Sequence, residues 1–238
     1  MKNIFFIIMT VLLLTSCVST EKQYPPQNEI PMYGGESITE LSRTLNDKFI
    51  ENIRTQSIPA GDFKDMKDAA AYYVSRGWDF FRNGDYTTSI KRFNQAWLLD
   101  ETNADVYWGF ADWYGVKGEY EKSVEMFEKS LSLNPDNPEV MSDLSVTYNH
   151  MACDFSNNRQ YDRYIEYAKK SAENSAKALK IKETGTLWHN YAVSLYYLGK
   201  YNDALAAINR AKELGHSIPP EVKEEIAQKA SQGDWNVE

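Results

Sequence analysis

The residue types that most often do chemistry are few in this chain, which has three histidines and two cysteines. His150 and Cys153 stand three residues apart, so on a helix they would face the same way, as two metal ligands do. No third soft ligand lies nearby in the sequence, and a structural role for both is the favoured interpretation. His189 has no neighbouring base, nucleophile or orienting group.

Motifs of the common enzyme classes are also absent from the sequence. It contains no G-x-S-x-G or H-E-x-x-H pattern and no glycine-rich phosphate loop. The acidic residues are plentiful but scattered, and a catalytic pair is not evident from their spacing. We therefore predict no catalytic residues, no metal site and no cofactor, and a protein that is not an enzyme.

The composition is that of a folded protein that does not bind nucleic acid. Of the 238 residues, 42% are apolar and 13% aromatic, enough to bury a hydrophobic core. The chain has 26 basic and 34 acidic side chains, a formal net charge of -8, whereas phosphate binding requires a basic surface. We expect partners other than nucleic acids.

The first sixteen residues have the pattern of an export signal. Lys2 precedes an apolar run at residues 4–14, which at about 1.5 Å per residue is too short to cross a bilayer. The run leads into Leu14-Thr15-Ser16-Cys17. This ending resembles the signal of bacterial lipoproteins, in which the cysteine receives lipid and becomes the first residue of the mature chain. An ordinary signal peptide that happens to contain a cysteine is the alternative.

The resemblance implies a location as well as an anchor. It implies removal of residues 1–16, lipidation of Cys17 and attachment of the mature chain to a membrane. In lipoproteins of double-membraned bacteria, an aspartate just after the cysteine marks retention in the inner membrane, and here that residue is Val18. The resemblance therefore implies an outer-membrane lipoprotein of the cell envelope that faces the periplasm.

Residues 17–36 are predicted to be a lipidated tether. Three prolines and the Gly34-Gly35 pair in this stretch preclude a helix and disfavour a central strand. A flexible connection that holds the folded body away from the bilayer is the simplest interpretation. The alternative is that Pro31-Met32-Tyr33 docks on the body.

The rest of the chain is dominated by an internal repeat. A triplet of glycine, an ionisable residue and tyrosine occurs three times, beginning at Gly84, Gly118 and Gly199. The first two glycines lie 34 residues apart. With the glycine at position fifteen, repeats begin at residues 70, 104 and 185, and continuation of the period adds a start at residue 138.

In this frame the sequence resembles the tetratricopeptide repeat, a unit of two antiparallel helices. Position eight, where the helices of that family cross closely, is small throughout: Gly77, Ala111, Ser145 and Ala192. Position twenty-four is large and apolar in three repeats: Phe93, Phe127 and Ile208. The resemblance implies an all-α solenoid of four repeats at 70–103, 104–137, 138–184 and 185–218. Residues 37–69 and 219–238 are expected to form capping helices at its ends.

Two local details follow from residue patterns. The spacing of apolar residues predicts a helix from Ser37 to about residue 56, with Ser37 and Glu40 as a capping box. The third repeat has thirteen extra residues, which we assign to a break at 154–158 and to a second helix at 161–181 that is about two turns longer than usual. Residues 161–182 hold six basic and three acidic side chains, so this helix is a second candidate for a partner contact.

In tetratricopeptide domains the first helix of each repeat lines a concave surface, and some members grip a peptide's C-terminal carboxylate there. At the positions of that clamp this chain has Val74, Trp78, Gly109, Glu139 and Asp143, so the clamp is absent. The surface is aromatic and acidic instead. The residues predicted to form a partner-binding groove are Trp78, Phe81, Asp105, Trp108, Asp112, Asn149, His189 and Tyr196.

We predict a non-enzymatic, membrane-anchored adaptor that binds another envelope protein or peptide in an assembly or secretion complex. Aromatic anchors and carboxylates suit a peptide with apolar and basic side chains. A lipoprotein that binds a glycan or peptide ligand in the same groove is the alternative. Trp108, as a groove residue, is expected to contribute to binding and little to stability. The competing hypothesis is that Trp78 and Trp108 pack under the helix at residues 37–56.

Overall fold

A computed structural model describes residues 27–234, and these residues form helices without a β-strand. Two 3₁₀ segments, Gln27–Glu29 and Pro31–Ser37, precede the helices, and a π turn, Ile53–Ser57, follows the first of them. The helices are α1 (Glu40–Asn52), α2 (Ile58–Ala60), α3 (Met66–Arg82), α4 (Tyr86–Leu99), α5 (Ala104–Val116), α6 (Tyr120–Leu133), α7 (Pro138–Asn157), α8 (Tyr161–Ile181), α9 (Gly185–Tyr197), α10 (Tyr201–Glu213) and α11 (Pro220–Gln232). The predicted signal peptide, Cys17 and the first part of the predicted tether lie outside the described residues.

The repeated triplets are the turns that join the two helices of a pair. Gly84, Gly118 and Gly199 adopt φ values of +77°, +74° and +70°, a left-handed conformation that glycine adopts without steric cost. After each glycine, the next backbone N–H donates to the carbonyl five residues earlier, at 3.0 Å in all three turns. This bond satisfies a carbonyl at the end of the first helix and turns the chain into the second.

The third pair, α7 and α8, makes the same turn without a glycine. Arg159 takes the left-handed conformation at φ +58°, and Gln160 N–H donates to Phe155 O at 2.9 Å. This turn comes seven residues later than residue 152, where a 34-residue period from residue 138 would place it. The break predicted at 154–158 is therefore wrong, because residues 154–157 continue α7. The extra residues lengthen both helices of the pair.

Small residues allow the helices of the stack to approach closely around large apolar side chains. Phe93 of α4 is fully buried between α3 and α5. A Cβ added at either Gly77 or Gly109 would lie 2.5 Å from the Phe93 ring, so only glycine leaves room for it. Ala111 and Ala192, at the predicted close crossings, are also fully buried. The small residues at position eight therefore have the packing role that the sequence predicts.

Residues 27–35 pack against α4. The fully buried Asn94 of α4 donates from Nδ2 to Asn28 O at 3.1 Å and to Ile30 O at 2.8 Å. Lys91 of α4 forms an ion pair with Glu29 at 2.9 Å, and the Tyr33 side chain is buried. This part of the predicted tether thus lies on the body, as the docking alternative proposed.

The C-terminal end of helix α1 and the residues after it pack on the first pair, whereas Leu41 and Leu45 nearer its start are 69% and 56% exposed. The helix begins at Glu40 with Thr39 as its N-cap, whose Oγ1 accepts from Ser42 N–H at 3.3 Å. The predicted cap at Ser37 is wrong, because residues 31–37 form a 3₁₀ segment before the helix. Ile53, just after α1, packs against Ala69 and other residues of the first pair. The hypothesis that this helix covers Trp78 and Trp108 is not supported, since both pack against the central core cluster instead.

Helix α11 covers the other end of the stack. Its buried Ile226 packs with Ala192 and Leu195 of α9 and with residues of α10. The Tyr196 hydroxyl of α9 donates to Glu225 Oε1 at 2.5 Å. Residues of the same chain therefore pack on both ends of the solenoid, more completely at α11 than at α1. Among residues 27–234, no helix is both long and apolar enough to cross a membrane.

Candidate functional site

The predicted groove residues of the first two pairs lie together on the face formed by α3 and α5. The rings of Trp78 and Trp108 are 4.9 Å apart and inclined at 60°, and Trp78 also contacts the Phe81 ring at 5.6 Å. Edge-to-face contacts of this kind stabilise aromatic pairs beyond their buried area. Trp78 and Trp108 are only partly buried, so the cluster presents an aromatic surface to solvent.

Trp108 links this cluster to α7. Its indole Nε1–H donates to Asp143 Oδ2 at 2.9 Å. Because Trp108 also packs against Trp78 and the central core, it supports the fold as well as the surface. The premise of the expectation that Trp108 contributes little to stability, namely that a groove residue has no contact with the core, therefore does not hold.

Asp112 and Asp143 form an acidic pair on this face. Asp112 lies one turn after Trp108 on α5, and Asp143 faces it from α7. Burial raises the pKa of Asp112 well above its usual range, and the charge of Asp143 raises it further. Burial also raises the pKa of Asp143 to about 6, against the lowering effect of the hydrogen bond from Trp108. Both carboxyl groups are thus held in a setting that disfavours two negative charges.

A groove of about 390 Å³ opens beside this acidic pair. It lies between α3, α5, the start of α6 and α7, and its lining residues are Phe81, Asp112, Gly115, Val116, Tyr120, Asp143, Val146, Thr147 and His150. The His150 ring stacks on the Tyr120 ring with centroids 5.5 Å apart and planes 3° from parallel. Val116 is 48% exposed, which leaves an apolar side chain open to solvent in the groove.

Three of the predicted groove residues lie elsewhere, in contacts within the protein. Asn149 is buried and donates from Nδ2 to Ser194 Oγ at 3.4 Å, so it faces the interior between α7 and α9. Tyr196 is hydrogen-bonded to α11. The His189 ring stacks on His216 with centroids 4.8 Å apart, and burial lowers the pKa of His189. The prediction that Asn149 belongs to the groove surface is wrong.

Asp105, the remaining predicted residue, is half-buried near the start of α5, where burial raises its pKa. Asp143, Tyr120 and His150 also line the groove, although the repeat pattern does not predict them there. Asp143 was considered only as a position of the absent carboxylate clamp. The sequence holds one signal that could have placed Asp143 in the groove. It stands at position six of the third repeat, and its carboxylate accepts the hydrogen bond from Trp108 of the second repeat.

The proposed structural role of His150 and Cys153 has a physical basis in their separate contacts. His150 stacks on Tyr120, and Cys153 Sγ accepts a weak hydrogen bond from Asn157 Nδ2 at 3.8 Å. Within residues 27–234, no group of three or more His, Cys, Asp or Glu side chains could hold a metal ion.

The basic side chains of α8 are partly engaged within the protein. Lys170 forms an ion pair with Glu166 at 2.7 Å, and the Arg163 guanidinium lies 4.5 Å from the centre of the Phe155 ring. Lys182, just after α8, forms an ion pair with Glu139 of α7. That pair neutralises an acidic residue one turn before Asp143, so the charge of the groove is concentrated in the acidic pair.

The sequence profile of the tetratricopeptide-repeat family matches residues 104–137, the segment of α5 and α6. A crystal structure of a thermophilic TPR protein from Thermus thermophilus superposes on this chain with a TM-score of 0.55. The fold is that of a tetratricopeptide-repeat protein. The superposition covers 69% of this chain and 83% of the Thermus protein at 17% identity, which shows the fold alone. The predicted all-α repeat solenoid is confirmed.

Curated relatives are similar to this chain over part of its length. The photosystem I assembly protein Ycf3 of Prochlorococcus marinus subsp. pastoris is 25% identical over 144 residues, which cover 59% of this chain and 83% of the relative. A TPR repeat-containing protein of Methanocaldococcus jannaschii is 26% identical over 140 residues, which cover 59% of this chain and 24% of the relative.

Proposed function

We propose that this protein is a membrane-anchored adaptor of the bacterial cell envelope, which binds a segment of another envelope protein in the groove beside the acidic pair. The observation that carries the proposal is the groove itself, an open surface between helices of the first three pairs. The name of the relative Ycf3 as an assembly protein supports a role in bringing other proteins together.

The chemistry of the groove favours a peptide as its occupant. Val116 and Val146 offer apolar contacts, and Phe81 and Tyr120 offer aromatic ones. The acidic pair supplies hydrogen-bond acceptors at the side of these contacts. A central apolar contact surrounded by polar groups is the arrangement that anchors peptides in protein interfaces.

The test is site-specific photocrosslinking in the native envelope. A benzophenone amino acid at Val116 would lie in the groove, and the same group at Leu214, which is 38% exposed after α10, is the matched control. We expect a discrete protein adduct from position 116 and none from position 214. Equal adducts from both positions, or none from position 116, would contradict the adaptor function.

The anchor has its own test. The lipoprotein signal motivates the proposal that Cys17 receives lipid in the envelope and that the mature protein resides at the outer membrane. We expect Cys17→Ser to abolish labelling with radioactive palmitate and to leave an unprocessed precursor of higher mass. Wild-type protein that is processed but carries no label would refute the anchor and leave the groove unaffected.

The glycan-binding alternative makes a different prediction for the same surface. Trp78 and Trp108 are both partly exposed, so a sugar stacked on either ring would change the tryptophan fluorescence. Saturable changes with peptidoglycan fragments, together with no adduct from position 116, would favour a ligand-binding lipoprotein over the adaptor.

A further inference from the structure

The acidic pair has carboxylate oxygens that the rest of the described chain leaves available. Asp143 Oδ2 accepts the hydrogen bond from Trp108 Nε1. Within residues 27–234, no ion pair with Lys, Arg or His involves Asp112 or Asp143, whereas nearby Glu139 is paired with Lys182. Carboxylates partly removed from water either pair with a cation or hold a proton more tightly, and the raised pKa values of this pair reflect the second case. A cationic guest would supply the partner that the described chain does not.

The walls of the groove suit a cation with a flat face and an apolar stem. Tyr120 and His150 lie parallel to each other at the mouth, and Phe81 closes the side formed by α3. The side chains of Val116 and Val146 line the same groove and add apolar surface to it. A cation over an aromatic face gains electrostatic attraction, and a long aliphatic stem gains apolar contact.

We propose that the groove binds an arginine side chain of the partner peptide, with its guanidinium between Asp112 and Asp143. The proposal rests on the adaptor function and names the residue that the adaptor recognises. Arginine fits better than lysine because its planar group donates up to five hydrogen bonds in a fixed fork and stacks on aromatic rings.

Occupancy by a cation should couple binding to pH. The pKa values of Asp112 and Asp143 are raised in the free protein, whereas a bound guanidinium favours their ionised forms. Binding therefore releases protons, and the affinity for the peptide rises with pH. Other ionisable groups facing the groove are Tyr120 of α6 and His150 of α7.

The first stage of the test identifies groove-binding peptides without assuming their sequence. A phage library of random heptapeptides is selected on the full-length protein in detergent. In the Val116→Arg variant the arginine side chain fills the groove, so phage that bind the wild type but not this variant are groove-binding. We expect arginine to be enriched at one position of the selected peptides. Enrichment should be lost when selection uses the variant Asp112→Asn/Asp143→Asn, and kept with Asp136→Asn, a change in the exposed turn before α7.

The second stage measures one selected peptide by isothermal titration calorimetry. Replacement of its arginine by citrulline, which keeps the shape and removes the charge, should weaken binding to the wild type by roughly tenfold or more. The same replacement should have no effect on the Asp112→Asn/Asp143→Asn variant. The arginine peptide should bind the wild type more weakly at pH 5 than at pH 8, and this difference should be absent from the variant.

The outcomes separate this proposal from the adaptor function. Groove-binding peptides that tolerate citrulline, or that bind equally well with lysine, would overturn arginine recognition and leave the adaptor standing. An adduct from position 116 that persists undiminished in the Asp112→Asn/Asp143→Asn protein would do the same. No groove-binding peptide together with no adduct would overturn both.

Discussion

Replacement of Asp143 by asparagine should stabilise the free protein at neutral pH. The amide oxygen keeps an acceptor for Trp108 Nε1–H, and the change removes the ionisable group. The pKa of Asp143 is raised from 3.8 to about 6, so the folded state holds the proton more tightly than the unfolded state does. The free energy of unfolding therefore falls as pH rises between about 4 and about 6, and the loss persists above that range.

The size of the effect follows from the same pKa values. A rise from 3.8 to about 6 is roughly two units, and at about 1.4 kcal/mol per unit the upper limit is about 3 kcal/mol. Asp143 is in contact with solvent at the groove, which screens the effect to about 1–2 kcal/mol. For a chain of this size, that gain corresponds to a rise in Tm of about 2–8 °C at pH 7.

Thermal unfolding monitored by circular dichroism at pH 4, 5, 6, 7 and 8 would measure this gain. The wild type, Asp143→Asn and the control Asp136→Asn are compared at each pH. We expect the gain for Asp143→Asn to be largest at pH 7–8, to shrink through pH 5 and to vanish at pH 4. A variant no more stable than the wild type at pH 7, or a gain that is the same at every pH, would refute the assignment of a destabilising charge to Asp143.

Three further predictions concern packing, and each is measured as a change in the free energy of unfolding. Ala111→Leu should cost about 1–3 kcal/mol because Ala111 is fully buried. Ala206→Leu, on the exposed face of α10, should cost much less. Equal losses of stability in the two variants would contradict the repeat frame. Gly109→Ala should destabilise by a similar amount, about 1–3 kcal/mol, because its Cβ would lie 2.5 Å from Phe93. Asn94→Ala should cost about 1–3 kcal/mol and expose residues 27–35 to limited proteolysis, and unchanged protection would show that other contacts hold that segment.

The repeat architecture was predictable because its chemical requirements repeat. Three of the turns need a residue with positive φ, and glycine at 84, 118 and 199 is a visible signal for it. The third turn was not predictable in the same way, since Arg159 adopts the left-handed conformation without belonging to the residue types that favour it. The polar residues at 154–158 then resembled a loop, although the chain continues as a helix through residue 157.

The groove was partly predictable, for a related reason. Trp78, Phe81 and Asp112 follow from the position of the first helices within one repeat. The hydrogen bond from Trp108 to Asp143 joins two repeats, and a pattern defined within one repeat does not specify it. The prediction for Asn149 was wrong because its side chain is buried and hydrogen-bonded to Ser194 of α9. The repeat frame assigns the same position to the concave surface.

Docking of residues 27–35 on α4 also sets a distance between the protein and its membrane. Nine residues lie between Cys17 and Gln27, so the ten steps from one to the other span at most about 35 Å at about 3.5 Å each. If the chain were instead undocked from Cys17 to Glu40, the start of α1, its fully extended length would be roughly twice as great. If Cys17 is lipidated as proposed, the end of the solenoid formed by α3 and α4 stays within that radius of the bilayer. The groove beside it can then engage only partners held close to the same membrane or able to extend a segment towards it.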